Sequence, residues 1–212
     1  MIPNFITRKF TKCSCLVTVI LTGLLFTSPI HAKHIVVYGD SLSAAYGMSL
    51  EQGWVHLLNT SLGDKHQVSN ASISGETSAG GLARLSLTLD QLKPDIVVIA
   101  LGANDGLRGY STQKLSENLN AMITLIKDLN IVPVIAGISI PPSYGPRYIE
   151  QLRAVFPNVA NANEIAFIDL FREDFLTTEG YTQADGLHPT AITQPVIRDM
   201  VQSFLVEQDL LN

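Results

Sequence analysis

Three polar side chains in this chain of 212 residues are of the types that carry out acyl transfer. Ser41 lies in VVYGDSLSAAYG (Val36–Gly47), where an apolar run breaks into Gly-Asp-Ser, and the later stretch ADGLHPT contains Asp185 and His188. A serine hydroxyl is a weak nucleophile unless a base lies within hydrogen-bond reach, and a carboxylate on the other side of an imidazole fixes its tautomer. Two interpretations stay open here, because Gly-Asp-Ser and Asp-Gly are also ordinary turn sequences.

His188 is the histidine best placed to act as this base. The other histidines beyond residue 32 lie at the start of predicted strands or within a predicted helix: His34, His56 and His66. His188 falls in a loop close to Asp185, so its two ring nitrogens could contact the carboxylate and Ser41.

Negative charge on an attacked carbonyl requires hydrogen-bond donors, and three candidates follow predicted strands. They are the backbone N–H groups of Ser41 and Gly75 and the side-chain amide of Asn104. Glycine permits close backbone approach, and an amide donates without titrating. Asp40 and Asp105 stand beside these donors, and we expect them to brace the loops rather than to react.

Apolar periodicity predicts the elements that would position these residues. Short β-branched runs predict five strands: His34–Tyr38, Gln67–Asn70, Ile96–Leu101, Val132–Ile138 and Ile165–Ile168. Stripes with helical spacing occur at Leu82–Leu89, Leu115–Leu129 and Ile197–Phe204. Strands that alternate with helices predict a parallel sheet between helical layers. Because such sheets collect ligands outside the carboxyl ends of their strands, we expect the candidate residues to meet at one edge.

A substrate groove is expected beside these loops. Six residues are predicted to line it: Leu42, Ile73, Leu107, Ile140, Pro141 and Tyr144. Apolar loop residues also serve packing, and that alternative stays open. The Pro- and Gly-rich stretch Gly137–Tyr148 is predicted to be a long irregular loop that shapes the site.

Motifs for other chemistries are absent from the sequence. The chain has no G-x-S-x-G, H-E-x-x-H or G-x-G-x-x-G, and Gly75–Gly81 lacks the ending of a phosphate-binding loop. We therefore expect neither a metal nor another cofactor. An acidic chain without a basic run is also a poor partner for nucleic acid or an anionic membrane.

The N-terminus has the three parts of a secretory signal peptide. Basic residues at Arg8, Lys9 and Lys12 precede the uncharged apolar run Leu16–Phe26, and a small residue, Ala32, ends the segment. The apolar run is short for a stable membrane span, although a retained anchor is the alternative.

Cleavage after Ala32 would define residues 1–32 as the signal and residues 33–212 as a single domain. The segment carries three positive charges and no negative ones, so the net charge would move from −5 to −8. Both cysteines would leave with it, and the remaining chain could form no disulfide. We expect a monomer that is exported, either periplasmic or secreted, with no stable membrane anchor.

Four sequence blocks together resemble those of the SGNH (GDSL) hydrolase family. They are GDSLS at Gly39–Ser43, Gly75, GAND at Gly102–Asp105 and DGLHP at Asp185–Pro189. The stretches NASISGETSAGGLARL and GANDGLRG are similar to the exported arylesterase, thioesterase I and lysophospholipase branch. The resemblance implies a flavodoxin-like α/β/α sandwich of three layers with about five parallel strands.

The resemblance also implies hydrolysis of small-molecule or lipid esters and of thioesters, without a metal. It implies that Ser41 is the nucleophile, that His188 is the base and that Asp185 orients it. Ser41, Gly75 and Asn104 would be the oxyanion donors. A carbohydrate acetylesterase on the same fold and a binding module without catalysis are the alternatives.

Overall fold

Five parallel strands form the centre of the computed structural model, which describes Met1 and residues 32–212. They are β1 (His34–Gly39), β2 (Gln67–Asn70), β3 (Ile96–Ala100), β4 (Val132–Ile138) and β5 (Ala166–Phe171). Their order across the sheet is β2-β1-β3-β4-β5, which is the flavodoxin-like order. The predicted signal peptide lies outside the described residues apart from Met1 and Ala32.

Seven α-helices surround this sheet in the described part of the chain. They are α1 (Trp54–Leu62), α2 (Ser78–Leu92), α3 (Ala103–Leu107), α4 (Thr112–Asp128), α5 (Pro146–Asn163), α6 (Glu173–Thr177) and α7 (Gln194–Glu207). Helix α1 packs against α7, whereas α4 packs between α2 and α5. The two groups cover opposite faces, so the predicted three-layer α/β fold with a parallel five-stranded sheet is confirmed.

The central strands and the long helices follow directly from the apolar pattern. Every residue of β3 is buried, as expected for a strand covered on both faces. In α4 the stripe of apolar side chains is buried, and the Ser111 hydroxyl caps the helix by accepting a hydrogen bond from the N–H of Lys114. Thr77 caps α2 in the same way.

Helix α5 takes only the last three residues of the irregular stretch predicted at Gly137–Tyr148, and β4 takes its first two. The helix begins at Pro146 and continues past an internal proline, Pro157. An interior proline costs about 3 kcal/mol. The inner face of α5 buries six side chains: Ile149, Leu152, Val155, Phe156, Val159 and Ala160. Each large one contributes about 1.5–3 kcal/mol, so burial outweighs the proline.

The carboxyl ends of β1 and β3 lie level with one another. Gly39 pairs with Ala100 at the end of both strands, and the chain after β2 stays attached to β1 through the bond from the Ile73 N–H to the Gly39 carbonyl. Because β1 connects to β2 on one side through α1 and β3 connects to β4 on the other side through α4, these two connections leave in opposite directions and open a crevice between the carboxyl ends of β1 and β3. Among residues 32–212, no helix has the length and apolar character needed to cross a membrane.

Candidate active site

A continuous hydrogen-bonded chain of three side chains lies at the carboxyl edge of the sheet. The Oγ of Ser41 lies 2.8 Å from Nε2 of His188, and Nδ1 of His188 lies 2.6 Å from Oδ2 of Asp185. Ser41 follows β1 directly, whereas Asp185 and His188 lie in the segment between α6 and α7. The structure therefore brings together the three residues selected from the sequence.

Asp185 is held as an anion that orients the imidazole. Its Oδ1 accepts hydrogen bonds from the backbone N–H groups of Leu187 and His188, at 2.9 and 3.0 Å. Partial burial acts to raise the pKa of Asp185, but the bond from the His188 ring and the two backbone bonds outweigh it, so the pKa is lowered overall. A carboxylate facing Nδ1 assigns the ring proton to that nitrogen, and the lone pair of Nε2 then faces the Ser41 hydroxyl.

Asn104 lies in the first turn of α3, which follows β3 at the same edge of the sheet. Its Nδ2 donates a hydrogen bond of 3.1 Å to Oδ2 of Asp40. An amide nitrogen carries two N–H groups, so one is used by Asp40 and the second can serve an oxyanion. The bond to Asp40 fixes which end of the amide points toward the site.

Asp40, which precedes Ser41, is fully buried. Burial raises its pKa to about 7, against the opposing effect of hydrogen bonds from the Leu42 N–H and the Asn104 amide. The carboxyl group thus ties the turn after β1 to α3, as a brace would.

Asp105 ties α3 to the beginning of α2. Its carboxylate accepts bonds from the backbone N–H and the hydroxyl of Ser78, at 2.8 and 2.6 Å, and Asn118 donates to the same hydroxyl. All three residues are buried. This network holds the helix that follows the Gly75 loop against the helix that carries Asn104.

Gly75 is exposed in the loop between β2 and α2 and has a φ of +81°. That left-handed conformation favours glycine. The Gly75 carbonyl accepts a hydrogen bond of 3.0 Å from Nη2 of Arg108, which follows α3. The two loops proposed to supply oxyanion donors are therefore linked, and the sequence pattern gave no signal for Arg108.

The six residues expected to line a groove fall into two groups. Ile73 and Tyr144 are exposed, and Leu107 and Pro141 are half-buried, so these four remain accessible in the segments that follow β2, β3 and β4. Ile140 is fully buried near Gly106, and Leu42 is only 4% exposed. For Leu42 and Ile140 the packing interpretation is therefore the one that fits, because both belong to the hydrophobic core.

The other histidines do not join this site. His34 contacts the Ser69 hydroxyl at the start of β1, His66 accepts from the Lys33 N–H, and His56 is exposed on α1. Within residues 32–212, no group of three or more His, Cys, Asp or Glu side chains could hold a metal ion.

The chain is similar in sequence to a known protein family and to several characterised proteins. A family model described as the GDSL-like Lipase/Acylhydrolase family matches residues 37–194. "Esterase TesA" of Pseudomonas aeruginosa is 44% identical over 184 residues, which cover 85% of this chain and 92% of that protein. "Arylesterase" of Vibrio mimicus is 40% identical over 195 residues, covering 91% and 98%. "Thioesterase 1/protease 1/lysophospholipase L1" of Escherichia coli K12 is 39% identical over 181 residues, covering 85% and 86%.

A solved structure gives the same result for the fold. The crystal structure of the psychrotrophic esterase EstA from Pseudoalteromonas sp., inhibited by monoethylphosphonate, has a TM-score of 0.79 and is 39% identical. The match covers 85% of this chain and all of that one.

Proposed function

Because this chain belongs to the GDSL-like lipase/acylhydrolase family and is a carboxylic ester hydrolase, we propose that it acts through an acyl-enzyme intermediate on Ser41. The observation that carries the proposal is the unbroken chain of hydrogen bonds from Ser41 through His188 to Asp185. Nucleophile, base and orienting acid occupy the geometry that this chemistry needs before any substrate binds.

The reaction proceeds in two balanced steps. The Ser41 oxygen attacks the acyl carbonyl while Nε2 of His188 takes its proton, and the tetrahedral oxyanion accepts hydrogen bonds from Ser41 N–H, Gly75 N–H and the Asn104 amide. His188 then gives that proton to the departing alcohol or thiol. A water molecule repeats the attack on the acyl-enzyme, which releases the carboxylic acid and restores the Ser41 hydroxyl.

Esters and thioesters with an apolar acyl group are the proposed substrates. The accessible side chains beside the site support this choice: Ile73, Leu107, Pro141 and Tyr144. The N-terminal pattern of basic and apolar residues supports export and action outside the cytoplasm. Lysophospholipids and related lipid esters are then more accessible substrates than acyl thioesters of the cytoplasm.

Replacing the proposed nucleophile tests the mechanism directly. We expect Ser41→Ala to lower kcat for nitrophenyl esters by at least about 10³-fold, because no acyl-enzyme can form. We expect a fluorophosphonate to label the parent enzyme covalently at Ser41 and to leave the variant unlabelled. Steady-state kinetics and mass spectrometry of the labelled protein measure the two effects.

A series of nitrophenyl esters, from acetate to longer acyl chains, tests which class of substrate the enzyme prefers. A rate that rises beyond acetate supports an apolar acyl site, whereas a maximum at acetate would favour the carbohydrate acetylesterase alternative.

Native circular dichroism of Ser41→Ala is the control for folding. Undiminished hydrolysis by that folded variant would falsify the assignment of Ser41.

A further inference from the structure

Tyr46 makes a contact in the site that the hydrogen-bonded chain does not include. Its ring stacks on the imidazole of His188, with centroids 4.2 Å apart and planes inclined by 30°. The Tyr46 residue is 49% exposed, so the ring covers the imidazole from the solvent side without being part of the core.

The backbone that presents this ring is strained. Ala45 has a φ of +56°, a conformation that costs a residue with a side chain roughly 1–2 kcal/mol, and Gly47 follows with a φ of +75°. Strain of this kind persists only where the surrounding structure imposes it.

Gln183 holds this backbone conformation in place, because it forms hydrogen bonds with the backbone around both stacking partners. Its side-chain amide donates to the carbonyl of Tyr46 at 2.8 Å and to that of Pro189 at 3.1 Å. Its backbone N–H donates to the carbonyl of His188 at 2.7 Å. A β-carbon on Gly47 would lie 2.5 Å from the Gln183 amide oxygen, so glycine is needed for this close approach.

We propose that Tyr46 is a positioning residue for His188. The Tyr46 ring keeps the imidazole aimed at Ser41 and favours the imidazolium formed during proton transfer. Offset stacking of two flat rings restricts rotation of the imidazole, and the negative face of the phenol ring attracts a positive charge. The inference rests on the proposed function, since it matters only if His188 is the base.

The experiment compares three variants of the full chain. We expect Tyr46→Leu to lower kcat for a nitrophenyl ester about fivefold with KM nearly unchanged, because only the orientation of the base is lost. Tyr46→Phe keeps the ring and should retain kcat within about twofold. Tyr110→Leu is the matched control, because Tyr110 is equally exposed at 49% and its ring stacks on no described imidazole.

A spectroscopic readout separates stacking from general structure. In the parent enzyme and in Tyr46→Phe, we expect the ring to shift the carbon-bound protons of the His188 imidazole upfield in the NMR spectrum. Tyr46→Leu should lose that shift, and Tyr110→Leu should keep it. If Tyr46→Leu loses its native circular dichroism, Tyr46→Gln replaces it with the same expectations.

Three results would overturn the inference. Unchanged kcat in Tyr46→Leu removes the positioning role, a rise in KM with kcat intact makes the ring a substrate contact, and unchanged imidazole shifts disprove the stacking. Ser41→Ala keeps this test distinct from that of the proposed function. If Ser41→Ala is inactive while Tyr46→Leu is normal, only the role of Tyr46 fails, whereas an active Ser41→Ala overturns the proposed mechanism itself.

Discussion

Each of the two sides of the candidate site contains an aspartate, and the two aspartates lie in opposite environments. On the oxyanion side, Asp40 is fully buried at the end of a central strand, and burial raises its pKa to about 7. On the proton-transfer side, the Asp185 side chain is 41% exposed on a loop, and the bonds it accepts lower its pKa. Such separation of two carboxyl groups is how environment assigns them different tasks.

The difference shows where each side obtains its precision. Asp185 needs its charge at working pH, and solvent access together with three accepted hydrogen bonds keeps it ionised. Asp40 needs a fixed position. Burial at the end of β1 provides that position and also raises the pKa of its carboxyl group. Asp185 thus contributes through its charge, whereas Asp40 contributes through its fixed position.

Asp185→Asn gives the largest expected effect on the proton-transfer side. The amide can keep the two backbone bonds, but its NH₂ group would face Nδ1 of His188 and move the ring proton to Nε2. That nitrogen could then no longer accept the Ser41 proton, so we expect kcat to fall about 10³-fold. Pre-steady-state acylation measures the loss.

Asp185→Glu is the matched control, because it keeps the charge and should lose less activity. Thermal unfolding is expected to change little in either variant, since Asp185 is exposed. A loss of less than tenfold in Asp185→Asn would contradict the orienting role.

Asp40→Asn is expected to have a smaller effect on activity and a clear effect on stability. The amide offers one acceptor oxygen in place of two, so it cannot keep the bonds from both the Leu42 N–H and the Asn104 amide. The oxyanion side is then held less firmly, and we expect kcat to fall about tenfold to a hundredfold, less than the loss of a complete oxyanion donor. Single-turnover acylation rates separate this effect from substrate binding.

The stability change has a defined sign and pH window. Because folding raises the pKa of Asp40 from 3.8 to about 7, the folded state binds more protons than the unfolded state between these values. Asp40 therefore destabilises the parent protein as pH rises from about 4 to 7, by on the order of 4 kcal/mol in full. Asp40→Asn should be more stable than the parent at pH 8 and should lose that advantage near pH 4. Chemical denaturation that shows the same difference at both pH values would contradict the buried carboxyl.

Gly75→Ala is expected to have the smallest effect and tests the loop of the oxyanion side. No atom lies within 4 Å of the position of the added β-carbon, so only the φ of +81° is strained. Relief of about 1 kcal/mol of strain would turn the N–H away from the oxyanion, so we expect kcat to fall about fivefold. Gly63→Ala is the matched control, because Gly63 also has a positive φ and open space but lies at the end of α1. Equal activity losses in both variants would show that Gly75 has no special role.

The central strands were predictable from sequence because their environment is uniform. β1 and β3 were predicted to within one residue, since both faces are covered and nearly every side chain is apolar. β5 was predicted to end at Ile168 but continues to Phe171, because it is an edge strand in which exposed Asp169 interrupts the apolar run. Helix α5 was missed for a related reason, since Pro157 masks a helix that tertiary burial stabilises.

The candidate site was predictable where local turns mark it and unpredictable where distant side chains meet. Ser41, Asp185 and His188 stand beside glycine or proline in recognisable turns. The contact of Gln183 with the Tyr46 carbonyl joins residues 137 positions apart, and it depends on an alanine in a left-handed conformation. Local preference disfavours that conformation, so only the folded chain reveals it.

The hydrogen bond between Ser41 and His188 joins positions 147 residues apart, and this distance has a consequence for biosynthesis. The oxyanion loops are made early in translation, whereas the base arrives with one of the last segments, which the bond from the Trp54 N–H to Gln194 anchors to α1. A nascent or C-terminally clipped chain that lacks His188 would carry the serine without its base and would not hydrolyse esters. Ester hydrolysis through Ser41 therefore requires the chain to be made at least through the segment that carries His188 and Gln194.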